Sequence, residues 1–509
     1  MLARSPFLAL ALALLLAGCL TSSQPPPGPS GPGGAAQASW ASICAISNWA
    51  DSCTARASPN DSPSKTEIDL AVNPSNPLNV VVGSKDLDPQ ASNCVWAVPQ
   101  VTLDGGRTWS SVIIGGPRDA RMADPMNPLF GWECITDPIM VFDDGGWFYY
   151  ALQAYNLESG GATCQTDGAL PPLPAPVPVP IGAGCGSSFY LARSKDGGLT
   201  YDNIILMALA DGGVVFHDYP RMIVNPATGT VTTVWNAVGS GGINPYVVST
   251  RDRGDTVDAA PVVVQKPDSP RATAFASGFA ATSDGTVYMT VWAFSPAELI
   301  GVTGGAGGDT APLYLAVSTD DSQSFGGFQK ILDINPITCP LENSEFRCGT
   351  FVELAADTSG GAHDGRLYAV WEDARWDGHD IAASWSDDSG ATWTEPVKVN
   401  QDTTANAQWM SRPTVGADGT LHVLYMDRSF DPADKLYDAV HAWSADGLNW
   451  TSQRLTTVSS DGDLGVHQNG FPFIGDYVGI GIVGDHLYAG FPQTVTGKAE
   501  IAVAHIVKR

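Results

Sequence analysis

Ser386-Asp387-Asp388-Ser389-Gly390-Ala391-Thr392-Trp393 is the stretch whose reading decides the fold. It follows an alternating run, Gly365-Arg-Leu-Tyr-Ala-Val-Trp371, and has the chemistry of a hairpin turn. Asp and Ser/Thr side chains bond turn amides, Gly takes the positive-φ position, and the aromatic packs beneath. The pattern Ser/Thr-x-Asp-x-Gly-x-Thr-aromatic recurs at Thr102–Trp109, Ser194–Tyr201 and Thr250–Val257. It returns in degenerate form at Ser318–Phe325 and one residue shorter at Ser444–Trp450. One copy is a weak signal, whereas six copies define a repeat.

Two further strand signals precede most copies. One is an apolar run such as Thr136–Phe142 or Gly278–Thr282, and the other is a Gly turn followed by alternation, as in Gly229–Trp235, Gly285–Trp292 and Gly419–Tyr425. With the turn motif joining strands three and four, each unit is a four-stranded antiparallel sheet. The expected fold is therefore all-β, a single β-propeller of such blades. Successive motifs start 92, 56, 68, 68 and 58 residues apart, the first interval holding a Pro-rich insertion near 156–184. After the sixth motif come Gly475–Ile482, His486–Gly490 and Glu500–Ile506, three strands that end where a seventh motif would fall. A strand from residues 40–50 completes this blade and closes the ring, so seven blades are favoured. Six blades plus an appended hairpin is the alternative.

The turn motifs resemble the Asp-box (BNR) repeats of the sialidase superfamily over roughly residues 65–505. That resemblance implies that the boxes are scaffold, on the rim away from the ligand face. It also implies a six-bladed ring for catalytic members, and an Arg-Ile-Pro signature that is absent here.

The chain has 509 residues, 26 Lys+Arg against 53 Asp+Glu, and a formal net charge of −27. That balance argues against nucleic acid, which needs clustered cations. An apolar content of 44% excludes wholesale disorder. Residues 1–19 read as an export signal: Arg4, then an apolar run from Phe7 to Leu16 too short to span a bilayer. Leu16-Ala17-Gly18-Cys19 resembles a lipoprotein lipobox, which implies lipidation of Cys19. Leu20 after it fits outer-membrane or outer-surface placement. Residues 20–39 are a Pro/Gly/Ser tether and 40–509 the propeller. The expected localisation is exported and lipid-anchored to the cell envelope, with the membrane met only through the anchor. The other eight cysteines allow four disulfides, with proximity pointing to Cys44–Cys53, Cys164–Cys185 and Cys339–Cys348, and Cys94–Cys134 left over.

In a propeller the ligand face is formed by the starts of the inner strands and the loops between strands two and three. Those positions offer Glu67, Asp69, Glu133, Asp137, His217, Asp218, Tyr219, Arg221, Arg271, Arg347, Glu353, Arg412, Asp476 and Tyr477, with Asp373, Arg375, Asp427 and Arg428 in loops. The long loop Pro296–Thr310 and the Pro-rich insertion are expected to overhang the same face. One reading is recognition of a glycan or other extracellular ligand, with Trp132, Trp376 and Trp409 available to stack on sugars. The other, from the sialidase resemblance, is an exo-glycosidase. In it, Arg221, Arg375 and Arg412 clamp a sugar carboxylate. Tyr219 or Tyr477 with Glu353 forms the nucleophile pair, and Asp218, Asp137 or Asp476 is the acid. Structural roles compete with these: Asp373 with Arg375 suits a loop brace, Asp476-Tyr477 a blade cap, and His217 a hydrogen-bonded turn. No cofactor is implied, since no HExxH, phosphate loop or GxSxG occurs.

Overall fold

The computed structural model describes residues 39–44, 47–48, 50–59, 64–87, 95–155, 187–209, 214–239, 242–265, 273–294, 310–376, 378–468 and 471–509. Cys19, residues 20–38 of the tether, the insertion at 156–184, Arg271 and the loop at 296–309 lie outside them.

Seven antiparallel sheets form a closed propeller. From axis to rim, blade 1 is Ser64–Asn73, Asn76–Leu87, Gln100–Thr102 and Ser110–Ser111, and blade 2 is Cys134–Phe142, Phe148–Tyr155, Ser187–Ser194 and Asn203–Leu209. The inner strands of blades 3 to 6 are Val214–Val224, Thr273–Ala281, Glu353–Ala356 and Gln408–Val415. Blade 7 runs Gly479–Val483, His486–Gln493, Glu500–Lys508 and then Trp40–Ser42, which pairs Trp40 with Lys508 and Ser42 with Ile506. The expected seventh blade is thus made from both ends of the described chain, and the six-blade alternative is excluded. Arg509 N donates to Ser39 O at 2.8 Å beside this pairing.

Closure follows from burial. A blade flanked on both faces must be apolar on both, so its middle strands read as nearly unbroken hydrophobic runs. Leu367–Asp373 and Asp380–Ser386 in blade 5 are buried at every position. An apolar cluster fills each of the seven gaps between neighbouring blades. The last gap, between blades 7 and 1, holds Ile68, Leu70, Val80, Tyr488, Ile501 and Val503. Without it, two sheet faces and their edge groups would meet water.

All six turn motifs join strands three and four of blades 1 to 6 and repeat one hydrogen-bond set. In blade 5, Ser386 Oγ donates to Asp388 Oδ1 at 2.8 Å while accepting from Gly390 N at 2.9 Å. Thr392 donates to Asp388 through its amide at 2.8 Å and its hydroxyl at 2.6 Å. Trp393 Nε1 closes the turn on Gly390 O at 3.1 Å. These donors hold the Asp388 carboxyl down at about 2. In blade 2, Asp196 accepts from Thr200 N, Thr200 Oγ1 and Ser194 Oγ at 2.8, 2.6 and 2.8 Å. Asp196→Ala is expected to destabilise the fold by about 1 kcal/mol, read as a lower urea midpoint with an unchanged slope.

Cys44–Cys53 and Cys339–Cys348 are disulfide-bonded as proximity predicts. Cys134 is also disulfide-bonded, and Cys94, Cys164 and Cys185 lie outside the described residues.

Candidate functional site

A recurrent irregularity builds the axial site. The inner strands of blades 1, 2, 3 and 6 each slip register against strand two, at Thr66/Asp69, Thr136/Ile139, Asp218/Arg221 and Trp409/Arg412. The residues in the slips have left-handed backbones: Glu67 (φ 53°), Asp137 (51°), Tyr219 (53°) and Met410 (57°). Such bulges re-aim side chains and are sparsely populated for residues with a Cβ. Gly475 (φ 117°) occupies the corresponding stretch of blade 7, where an added Cβ would stand 2.5 Å from Glu67 N.

The bulges assemble two layers along the axis. In the first, the Asp137 carboxylate accepts from Thr136 Oγ1 at 2.7 Å and from the carboxyls of Glu67 and Asp218. Lys85 Nζ stands 3.5 Å from Glu67 Oε2 and 3.9 Å from Asp137 Oδ1. Arg347 Nε donates to Asp476 Oδ1 at 3.2 Å and its Nη2 pairs with Asp476 Oδ2, lying 3.9 Å from Glu67 Oε1. Its guanidinium lies 4.1 Å over the Phe473 ring. Burial drives the Glu67 carboxyl well above the usual carboxylate range, with Asp137 and Asp476 adding to the rise against Lys85. Burial and the charges of Asp137 and Asp476 do the same to Asp218. Burial also works on Asp137, but Lys85 and its three side-chain donors outweigh it and hold the group low. Asp137 is thus the most acidic of the three, since like charges this close do not all ionise and Lys85 stands nearest to it and Glu67.

The second layer centres on Glu353. Arg221 Nε lies 3.0 and 3.1 Å from its two oxygens, Arg412 Nη1 2.8 Å from Oε2, and Tyr219 OH 3.2 Å from Oε1. Arg412 Nη2 is also 4.0 Å from Asp69 Oδ1. The Arg221 guanidinium packs over the rings of Tyr219 and Tyr477 at 4.0 and 5.0 Å, and Tyr477 OH donates to Pro138 O. Burial raises the Tyr219 and Tyr477 phenols well above 10, so both are neutral. Burial also lifts Asp69 to about 6 and Glu372 to about 7.

Of the sequence-derived candidates, the structure gathers Asp218, Asp476, Glu67 and Asp137 in the first layer and Tyr219, Arg221, Glu353, Arg412 and Tyr477 in the second. Arg375 is not among them. It is held by Asp373 through Nε and Nη2 at 2.8 Å each and reaches Asp333 O at 2.9 Å. There it lines a rim groove of about 480 Å³ with Lys330, Asp333 and Glu395. The loop-brace reading describes this geometry. Arg428 is fully buried and bonds Glu342 O and Asp434 O. His217 is buried and accepts from Trp235 Nε1 at 2.8 Å. Trp132 and Trp409 are sealed in inter-blade cores, at 0% and 1% exposed, so neither offers a face to a sugar. Trp376 is half-buried beside Arg375.

Sequence reasoning missed Lys85 and the two connections that roof the axis. One runs from blade 4 to blade 5, carries Arg347 next to Cys348, and ties to the hairpin Val466–Phe473 through Arg347 N to Pro472 O at 2.9 Å. Asp463 Oδ1 takes the amides of Glu345 and Phe346 at 2.8 and 3.2 Å. The available signal was Lys85 itself, a charge closing the apolar run Val80-Val81-Val82. Among the described residues, no group of three or more His, Cys, Asp or Glu side chains is placed to hold a metal ion.

No protein-family model and no curated protein matches the chain. Solved structures align with it at low identity. Hadza microbial sialidase Hz136 gives a TM-score of 0.46 at 14% identity, covering 84% of this chain and 75% of that one. A protein of unknown function from Dyadobacter fermentans gives 0.43 at 12%, covering 90% and 98%. Trypanosoma rangeli sialidase gives 0.41 at 11%, covering 92% of this chain and 59% of that one. Likeness at this level carries no argument about chemistry, which rests on the chain's own geometry.

Proposed function

We propose that the axial mouth binds a neutral, hydroxyl-rich ligand, a glycan, outside the cell. The observation that carries this is the Glu67–Asp137–Asp218 trio beside Arg347. Carboxyl groups and a guanidinium stand side by side, the donor and acceptor types that paired hydroxyls require once they exchange their present partners, Asp476 for Arg347 and Asp137 for Glu67 and Asp218. An anionic sugar would have to displace Glu353 from both Arg221 and Arg412, a larger exchange than freeing Arg347 from Asp476 alone. Disulfides suit an oxidising compartment, and among the described residues no helix is long and apolar enough to cross a membrane. Lipidation at Cys19 and a tether over 20–39 belong to the same proposal, as does kinship of the turn motifs with the Asp-box repeats of the sialidase superfamily.

The second reading is an exo-sialidase-like hydrolase. In its favour, Tyr219, Glu353, Arg221 and Arg412 meet within hydrogen-bonding distance. Against it stand the neutral phenol, the occupied guanidinia and the separate place of Arg375.

The Arg347 side chain is 22% exposed, the most accessible cation of the first layer, so its removal tests the site with the least disturbance of the core. Arg347→Ala is expected to weaken oligosaccharide binding about 10- to 100-fold, the worth of a hydrogen bond to a charged group. Calorimetry with glycans selected on an array checks this. Cleavage of aryl sialosides, lost in Arg221→Ala and Arg412→Ala, would replace the binding reading by the hydrolase.

A further inference from the structure

Four of the eight histidines lie in two pairs on the two faces of the closing sheet. His422 and His441, in strands two and three of blade 6, share a ring-nitrogen contact of 2.9 Å and stack at 5.2 Å. Trp40, from the N-terminal strand of blade 7, sets its edge on them at 4.8 and 6.3 Å. On the far face, His486 and His505 of blade 7 share a contact of 2.8 Å and stack at 5.1 Å. Tyr488 stacks on His505 at 4.1 Å, and Gly105 of blade 1 lies against both.

A nitrogen–nitrogen hydrogen bond needs one ring to accept, hence one neutral ring in each pair. A second proton turns attraction into repulsion at under 3 Å. The surroundings supply little counter-charge for it. The first pair faces Asp418, but Asp418 is neutralised by Lys508 at 2.7 Å, an ion pair that itself crosses from blade 6 to blade 7. Its other polar neighbours are Gln453, 3.2 Å from His441 Nδ1, and the Trp443 ring. The second pair faces Arg107, a like charge, with Asp104 acting on Tyr488.

We propose that blade 7 is an acid-operated seal: protonation of the histidine pairs on its two faces frees the Trp40–Ser42 strand and its partner Glu500–Lys508 from blades 6 and 1, dismantling the axial site. The seal and the site are joined, since Ile68 N donates to Tyr477 O at 3.3 Å and Lys65 N to Ala499 O at 2.8 Å across this seam.

Burial lowers His422 to about 3 and His505 to about 4, and drives His441 well below its ordinary value. Folded values below the unfolded one of about 6.5 mean that this stability is complete above about pH 6.5 and is lost as pH falls toward 4 and 3. His217 and His379 carry the same sign singly in blades 3 and 5, lowered by burial to about 3 and 4. The axial Asp69 and Glu372, raised to about 6 and 7, carry the opposite sign. Their contribution is full below about pH 4 and lost as pH rises through those values. These two carboxyls oppose the acid opening locally, so the seam loosens first and the axial site follows once its contacts with blade 7 are lost.

Hydrogen exchange of the full chain from pH 7.5 to 4, corrected for intrinsic rates, tests this. Residues 39–59 and 500–508 are expected to lose protection at least about tenfold before 187–194 of blade 2 and 367–373 of blade 5. His422→Phe and His505→Phe should move that transition down by about half a pH unit. Simultaneous loss in all blades, or protection of the seam down to pH 4, overturns the proposal. So does a folded variant with an unmoved transition. If both variants fail to fold, the wild-type profile alone decides.

Discussion

Glu353→Ala is expected to cost about 3–5 kcal/mol, because it strips the shared partner from two guanidinia in the axial interior. The side chains of Arg221 and Glu353 are 3% and 4% exposed and Arg412 is 17% exposed. Water reaches Arg412 in part and Arg221 hardly at all, so the penalty falls chiefly on Arg221. Tyr219 OH loses its acceptor in the same step. Equilibrium urea unfolding should show a midpoint far below wild type. A double-mutant cycle separates the effect from a mere cavity: Arg221→Met should recover much of the loss in the Glu353→Met background, since an apolar pair of similar volume replaces a buried ion pair at little cost. Equal losses in single and double variants would mean that the cluster is held by packing instead.

Asp51→Ala is expected to cost a similar amount by undoing the latch on the closing strand. Asp51 is fully buried. Its carboxylate accepts from Cys53 N at 2.9 Å, Thr457 N at 2.8 Å, Val458 N at 3.1 Å and Gln493 Nε2 at 2.8 Å. These donors come from the N-terminal segment, the end of blade 6 and blade 7. Alanine leaves Gln493 Nε2 unpaired in the interior and strips a charged acceptor from three amides that water reaches in part, each lost bond to a charged group costing about 1.5–3 kcal/mol before relaxation. The total is expected near 3–5 kcal/mol. Limited proteolysis should cut within residues 39–59 well before any other part of the propeller, while Asp51→Asn, which keeps one acceptor, falls between. A variant no more sensitive to protease than wild type would assign closure to the Trp40–Ser42 strand alone.

The fold was legible because its decisive chemistry is local and repeated. A turn such as Ser386–Trp393 needs its Asp, Gly and aromatic within eight residues, and six copies set the blade count apart from the last. That last blade was readable because three strands remained without a turn, and a sheet edge demands a partner. The site was only half legible. Residue types at the inner-strand starts could be named, and most of them do meet at the axis. Their grouping could not, because a one-residue slip at Glu67, Asp137 or Tyr219 reverses which face a side chain takes. Sequence alternation shows no trace of it. Arg375 was grouped with Arg221 and Arg412 by type, yet Asp373, two residues before it, holds it in the loop. Trp132 and Trp409 stand near strand ends by the ligand face, where an aromatic serves equally to stack on a sugar or to pack in the core. In a ring of seven blades those ends still lie between neighbouring sheets.

The pairing of Trp40 with Lys508 has a consequence for how the molecule assembles. Loop-closure entropy grows slowly with length, but this contact spans almost the whole chain and is rewarded only after every intervening blade has formed. During vectorial synthesis, blades 1 to 6 have partners as they emerge, whereas the first strand waits for the last. Folding should therefore show a fast phase of blade stacking and a slow terminal closure. Ser39 and Arg509, which meet on one rim, also make the ring a natural candidate for circular permutation. Joining them and opening a turn between strands three and four elsewhere would convert the longest-range contact into a local hairpin, and the slow phase should vanish.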